Sequence, residues 1–305
     1  MAYDIAIIGA PSSAGAYAPG QEKAPAAFRR YTLPNTLELA GMSVLDVGDT
    51  PLFRWRPDLA HPKAMNAEAA ARTARAVADL VEKASPEAKL LLVLGGDCTV
   101  ELGTVAGVRR SGRSIGLVYV DLDVDLNVPE TSDGALDWTG VAHLLDLPGC
   151  AKALAHFGAS PLLGPESILF FGAANITPPE AKTIAQLDLP VISLGDVQAE
   201  PARSAQRAID WARSFDQLLV HVDADVLEYT RFPIAENVRR EPGLEIDALT
   251  ASLQVFAQAP TFRALTLTEV NPDHAPDEAA TFAALNRLLC ETMRTATHKT
   301  QRHAS

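Results

Sequence analysis

The chain of 305 residues sets 26 Lys and Arg against 38 Asp and Glu, a formal charge of -12, which excludes nucleic acid or an anionic membrane as the main partner and favours a small cation. Its 48% hydrophobic content is enough for a sizeable core. The opening MAYDIAIIGAPSSAG lacks the basic start and long apolar core of a secretion signal, no apolar run nears the ~20 residues of a membrane span, and three scattered cysteines make no disulfide framework, so a cytoplasmic protein is expected.

Eight short apolar runs follow one another along the chain: YDIAIIG, SVLDVGD, KLLLVLGG, SIGLVYVDLD, SILFFGA, PVISLG, QLLVHVDAD and RALTLTEVN. Helix-like stretches separate them, the clearest at residues 66–84, with others in PARSAQRAIDWARSF and DEAATFAALNRLLCETM. Alternating strands and helices predict a mostly parallel sheet covered on both faces. No repeat, linker or shift in composition marks a boundary, so residues 1–305 read as one domain, with 297–305 (THKTQRHAS) as a loose tail.

Ligands of open parallel sheets bind beyond the carboxyl ends of the strands. Four such ends here are acidic: LGGDCTVE with Asp97 and Cys98, VYVDLDVDLN with Asp121, Asp123 and Asp125, VHVDADVLE with Asp223 and Asp225, and TLTEVNPDHAPD with Glu269. On an extended strand the three aspartates of 121–125 would form one row, roughly 7 Å apart. Gathered at one rim, five aspartates and a thiol would supply donors for two metal ions, whereas unneutralised burial of like charges costs stability. An aspartate after a strand is more often a cap or turn former, but two DxD patterns at apolar strand ends reverse that preference. An EF-hand loop from Asp121 fails because Leu126 and Ser132 stand where glycine and glutamate are required. A nucleotide-sugar DxD leaves Asp223 and Asp225 unused, and a phosphatase loop lacks its glycine-rich turn.

In order and spacing, IGAPSSAGAYAPGQEKAPAAFRR, DVGD, GGDC, DLDVDLN, HVDADVLE and EVNP resemble the ureohydrolase family of arginase and agmatinase. The resemblance implies a three-layer α/β/α sandwich around an eight-stranded sheet, a two-manganese site, and hydrolysis of a carbon–nitrogen bond in a small cationic guanidino or amidino compound. It also implies trimers or hexamers. It carries the ligand roles onto Cys98, Asp121, Asp123, Asp125, Asp223 and Asp225. Catalysis falls to Asp125, Asp137 and Glu269, and substrate binding to Asn127 and Glu269.

Three histidines of the family pattern are replaced, by Cys98 in GGDC, Asp123 in DLDVDLN and Asp137 in DWTGVAHLL. Five aspartates and a thiolate carry six negative charges where the usual set carries four, which would hold metals tightly but weaken them as Lewis acids. Cys98 favours iron or zinc over manganese, while the oxygen donors favour manganese. A catalytically silent member and an iron-dependent redox enzyme on the same fold therefore stand as alternatives. Asp137 reads either as a proton donor or as a cap for the following helix. His143 reads as a partly buried surface histidine; His221 is expected to point the same way as Asp223, but further down the strand. Glu130, Arg231, Arg239 and Arg240 are charged residues of the loops with no assigned partner.

Overall fold

The computed structural model of the chain describes residues 1–155, 158–238 and 242–302. All eight apolar runs become strands: β1 (Tyr3–Gly9), β2 (Val44–Asp49), β3 (Ala88–Leu94), β4 (Ile115–Val120), β5 (Ile168–Ala173), β6 (Val191–Ser193), β7 (Gln217–Asp223) and β8 (Phe262–Thr268). They form one sheet in the order β2-β1-β3-β8-β7-β4-β5-β6, and every pairing in it is parallel. β3, β8, β7 and β4 lie side by side at its centre. These are the four strands whose ends carry the acids.

Alternate strand residues enter two apolar layers, which is why the strands show no polar alternation. Ile5, Ile7, Leu90, Leu92 and Leu94 join one cluster with helices Ala24–Arg30, Leu33–Leu39, Pro201–Ala212, Ile246–Phe256 and Glu278–Arg302. Ala6, Ile8, Leu91 and Val93 join the other, with helices Ala67–Ala84 and Val100–Arg109. The result is a three-layer α/β/α sandwich. The last two helices pack closely because Gly103 faces Ala74, whose carbonyl oxygen lies 2.4 Å from where a side-chain carbon would sit.

Two expectations about segment ends change. The apolar stripe Leu285, Leu289, Met293 and Ala296 carries the last helix to Arg302, and buried Thr297 donates its hydroxyl to the Arg294 carbonyl at 3.0 Å. The segment read as a loose tail is therefore helical over 297–302, and 303–305 lie outside the described residues. The strand read through Asp123 stops at Val120. No helix among the described residues is long and apolar enough to cross a membrane.

Gly96, just past β3, lets the loop after β1 press against the rim. A side-chain carbon there would lie 1.6 Å from the Ser12 carbonyl oxygen, and neighbouring backbone donates from Asp97 N to that same oxygen at 3.0 Å. Backbone cannot yield as a flexible side chain would. Gly96→Ala is expected to lower the free energy of unfolding by about 3 kcal/mol, measured by urea denaturation.

Candidate metal centre

Register builds the site. Val120 of β4 pairs with Val222 of β7, so Asp121 and Asp223 leave neighbouring strands side by side. Asp223 in turn pairs with Thr268 of β8, and Glu269 follows. Cys98 arrives from the loop after β3, beside β8.

Each DxD pair then bends by the same local device. Asp121 Oδ1 accepts from Asp123 N at 2.8 Å, and Asp223 Oδ1 accepts from Asp225 N at 2.7 Å. A carboxylate bonded to the backbone two residues on turns the chain away from the strand direction. Asp125 completes the curl with a left-handed φ of 50°, a conformation that aspartate tolerates better than most residues. The row of carboxylates about 7 Å apart is thus replaced by a curl, and donor atoms of Asp121, Asp123 and Asp225 all come within 4.8 Å of one another. Cys98, Asp121 and Asp125 form a second such group, and Cys98, Asp223 and Glu269 a third.

A cavity of about 240 Å³ opens above them, lined by all five of these aspartates, Glu269, Asp133, Asp137, Tyr17, Trp138 and Asn237 among others. Among its described lining residues there is no Lys, Arg or His. A larger cleft of about 870 Å³, which includes Lys89, Arg113 and Arg263, is lined by none of these acids.

Burial sets the proton affinities here. It pushes Asp121, Asp125, Asp137, Asp223 and Glu269 well above the ordinary carboxylate range, and neighbouring carboxylates add to the shift. Tyr119 opposes it at Asp125 by donating its hydroxyl to Oδ2. The Cys98 thiol is pushed up by burial, then by Asp223 and Glu269. These donors fit a cation: hard oxygens and one sulfur, gathered in overlapping groups where positive charge would relieve their repulsion.

Several residues have clear local duties. Glu269, at φ 59°, accepts from Cys98 N at 3.0 Å through Oε1 and from Gln21 Nε2 at 2.9 Å through Oε2. Asp97 does not line the cavity. It accepts from Gly15 N at 3.0 Å and from Thr99, tying the first loop to the rim. Asp137 opens a short 3-10 turn, accepts from its neighbour Trp138 N at 3.0 Å, and faces the cavity, so it is not the cap before a longer helix.

Asn127 is held by two neighbouring side chains. Its amide donates to Glu180 Oε1 at 2.9 Å, its carbonyl accepts from Thr131 Oγ1 at 3.0 Å, and it is absent from the cavity lining. Those bonds hold the loop that carries it. His143 is fully buried, not a surface group: Nδ1 meets Thr139 O at 2.7 Å, Nε2 accepts from Ala151 N at 3.0 Å, and burial lowers its pKa. Glu130 is exposed, and Arg231 pairs with Glu245 at 3.0 Å. Arg239 and Arg240 lie outside the described residues.

The Arginase family profile matches residues 3–294. The chain belongs to the arginase family. Human mitochondrial arginase-2 is 28% identical over 295 residues, covering 90% of this chain and 80% of its own. The solved structure of Bacillus subtilis arginase superposes with a TM-score of 0.84 at 23% identity, over 95% of this chain and 98% of that one. Proclavaminate amidino hydrolase from Streptomyces clavuligerus gives 0.74 at 17%, over 97% and 92%. These structural likenesses show an arginase-like fold. Cys98 and Asp123 both sit in the clustered groups, and Asp137 lines the cavity.

Sequence reasoning missed Tyr17, Asp133, Trp138 and Asn237 in the lining. Tyr17 lies in the quoted glycine-rich opening loop, which was a usable signal. Trp138 follows Asp137 in the DWTGVAHLL segment, and Asp133 and Asn237 come from loops without a motif.

Because the folded carboxyls have raised pKa values, the metal-free folded chain binds more protons than the unfolded one above about pH 4. Their contribution is fully present below the unfolded value and is lost as pH rises through the raised ones. Urea denaturation of metal-free protein should show stability falling as pH rises above about 4. A saturating divalent ion should restore about 3 kcal/mol at roughly 100 times its Kd, with the larger gain at the higher pH.

Proposed function

We propose that the protein is a metal-dependent hydrolase that cleaves a carbon–nitrogen bond of a guanidino or amidino compound. The observation that carries this is the meeting of Cys98, Asp121, Asp123, Asp125, Asp223 and Asp225 in overlapping groups at one rim of an arginase-family chain, with the five aspartates lining one cavity. Two of the groups share Asp121 and two share Cys98, and these residues would hold the ions. A divalent pair supplies a Lewis acid and lowers the pKa of bound water.

The chain's own residues supply the remainder. Glu269 offers a buried carboxylate that is fixed through both oxygens before substrate arrives, which suits planar, paired hydrogen bonding to a guanidinium. Its left-handed backbone is strained for a glutamate, and such strain concentrates at functional positions. Asp137, its pKa raised by burial and by Asp97, lines the cavity and is suited to give a proton to the departing amine. Asp125 is oriented by Tyr119. Before any ion binds, Cys98 is a thiol, and losing its proton is coupled to metal binding.

Six anionic donors exceed the charge of two divalent ions, and Asp123 is the carboxylate added where the family pattern has imidazole. Manganese is the first choice by family resemblance; iron or zinc would suit the sulfur.

Metal content of protein purified without added ions, followed by urea release from arginine, agmatine, guanidinobutyrate and hydroxyarginine, tests the proposal. About two bound divalent ions with urea release are expected. Failure to bind metal under all loading conditions would overturn it, and bound iron without urea would point to oxidation. Asp123→His should raise manganese-dependent turnover by lowering the excess negative charge, and unchanged or lower turnover would count against the charge balance given above. Glu269→Gln should lower kcat/KM by roughly 10- to 100-fold, read in the same assay.

A further inference from the structure

Beneath the rim, a buried polar band crosses the apolar layer between the sheet and helices Ala67–Ala84 and Val100–Arg109. Tyr119, His221 and Thr266 stand opposite one another on β4, β7 and β8. Thr266 is satisfied by Thr104 at 3.1 Å. The other two residues lead upward to the metal centre.

His221 is 0% exposed and stacks on Tyr119, with ring centroids 4.2 Å apart and planes 10° from parallel. Its Nε2 reaches Cys98 Sγ at 3.5 Å and Thr268 Oγ1 at 3.4 Å. On its far side, Nδ1 lies 3.5 Å from Oε2 of Glu101, which comes from the helix Val100–Arg109 and is 2% exposed. Neither Glu101 oxygen nor His221 Nδ1 meets hydrogen-bond geometry with any group. Carboxylate, imidazole and sulfur thus form one continuous line that ends at the metal centre.

An apolar pair of similar volume would fill this space at lower cost, because a buried carboxylate without hydrogen bonds is expensive. Ordinary packing therefore does not account for Glu101. Groups just behind a ligand orient it and tune the metal, and their loss usually weakens metal binding.

We propose that Glu101 and His221 are positioning residues that hold the Cys98 sulfur in the orientation of a metal ligand. This rests on the reading of Cys98 as a ligand given under Proposed function. Sulfur rotation about the Cα–Cβ bond is restrained from three sides. Asp223 Oδ2 lies 3.0 Å from Sγ and Thr268 Oγ1 3.1 Å, and the imidazole closes the side facing the helix. The ring in turn is fixed by its stack on Tyr119, whose hydroxyl donates to Asp125, so the supports of two rim residues share one element. Glu101 closes the far end of the line and sets which way the ring faces.

Cobalt(II) loading tests this, because a cobalt–sulfur bond gives a near-ultraviolet charge-transfer band that reports the sulfur directly. Wild-type protein should show the band and Cys98→Ser should lack it. His221→Phe keeps the ring stack but removes both nitrogens; it should cut the band by half or more and weaken cobalt binding roughly 10- to 100-fold. Glu101→Gln, of the same shape, should change the band in the same direction and less. A purely structural role would lower the melting temperature without altering the band.

A folded His221→Phe with the band unchanged in position and intensity would overturn the inference. If that variant does not fold, Glu101→Gln decides alone, and an unchanged band overturns it. Cobalt bound without any sulfur band in wild type would remove Cys98 from the ligands and the inference with it, leaving the carboxylate site standing. No cobalt bound at all would defeat the metal reading itself.

Discussion

Like charges crowd together at the carboxyl edge of the central strands, and the rest of the site is arranged around containing them. Asp121 and Asp223 are placed side by side by backbone register, so no choice of side-chain rotamer could separate them widely. Buried there with Asp125 and Glu269, their carboxyls are pushed well above the ordinary range by burial and by one another, a repulsion that a cation would relieve. Stability, proton affinity and metal affinity at this rim are therefore three expressions of one electrostatic constraint.

The scaffold meets that constraint with fixed donors. Backbone amides of Asp123 and Asp225 point at the first aspartate of each pair, Cys98 N and Gln21 point at Glu269, and Tyr119 points at Asp125. None of these donors carries a charge, so they orient the carboxylates without cancelling the field that attracts a cation. The sheet beneath is buried on both faces, which excludes water and keeps that field strong.

An imidazole does lie near the rim. His221 occupies the layer below and touches Cys98, an arrangement that a scan for ligands at strand ends passes over, because its place two residues before Asp223 sets it deeper in the strand. His143, by contrast, is spent on the backbone of its own loop. The two histidines show how little a residue's type reveals about its use until its neighbours are known.

The eight strands and their parallel arrangement were legible because continuous apolar runs of the right length have few other ways to be buried, and the two DxD pairs were conspicuous because carboxylates seldom follow such runs so closely. The bonds that hold Asn127 were not legible, because its partners Glu180 and Thr131 carry no pattern linking them to it. The sequence by itself determined the layered sheet and which side chains could bear the chemistry, since periodicity and residue type act locally. Only the tertiary structure decided that the aspartates curl instead of standing in a row, and that Glu101 and His221 back the sulfur. Those contacts join residues 123 positions apart between Cys98 and His221, and strand register, not local preference, brings them within bonding distance.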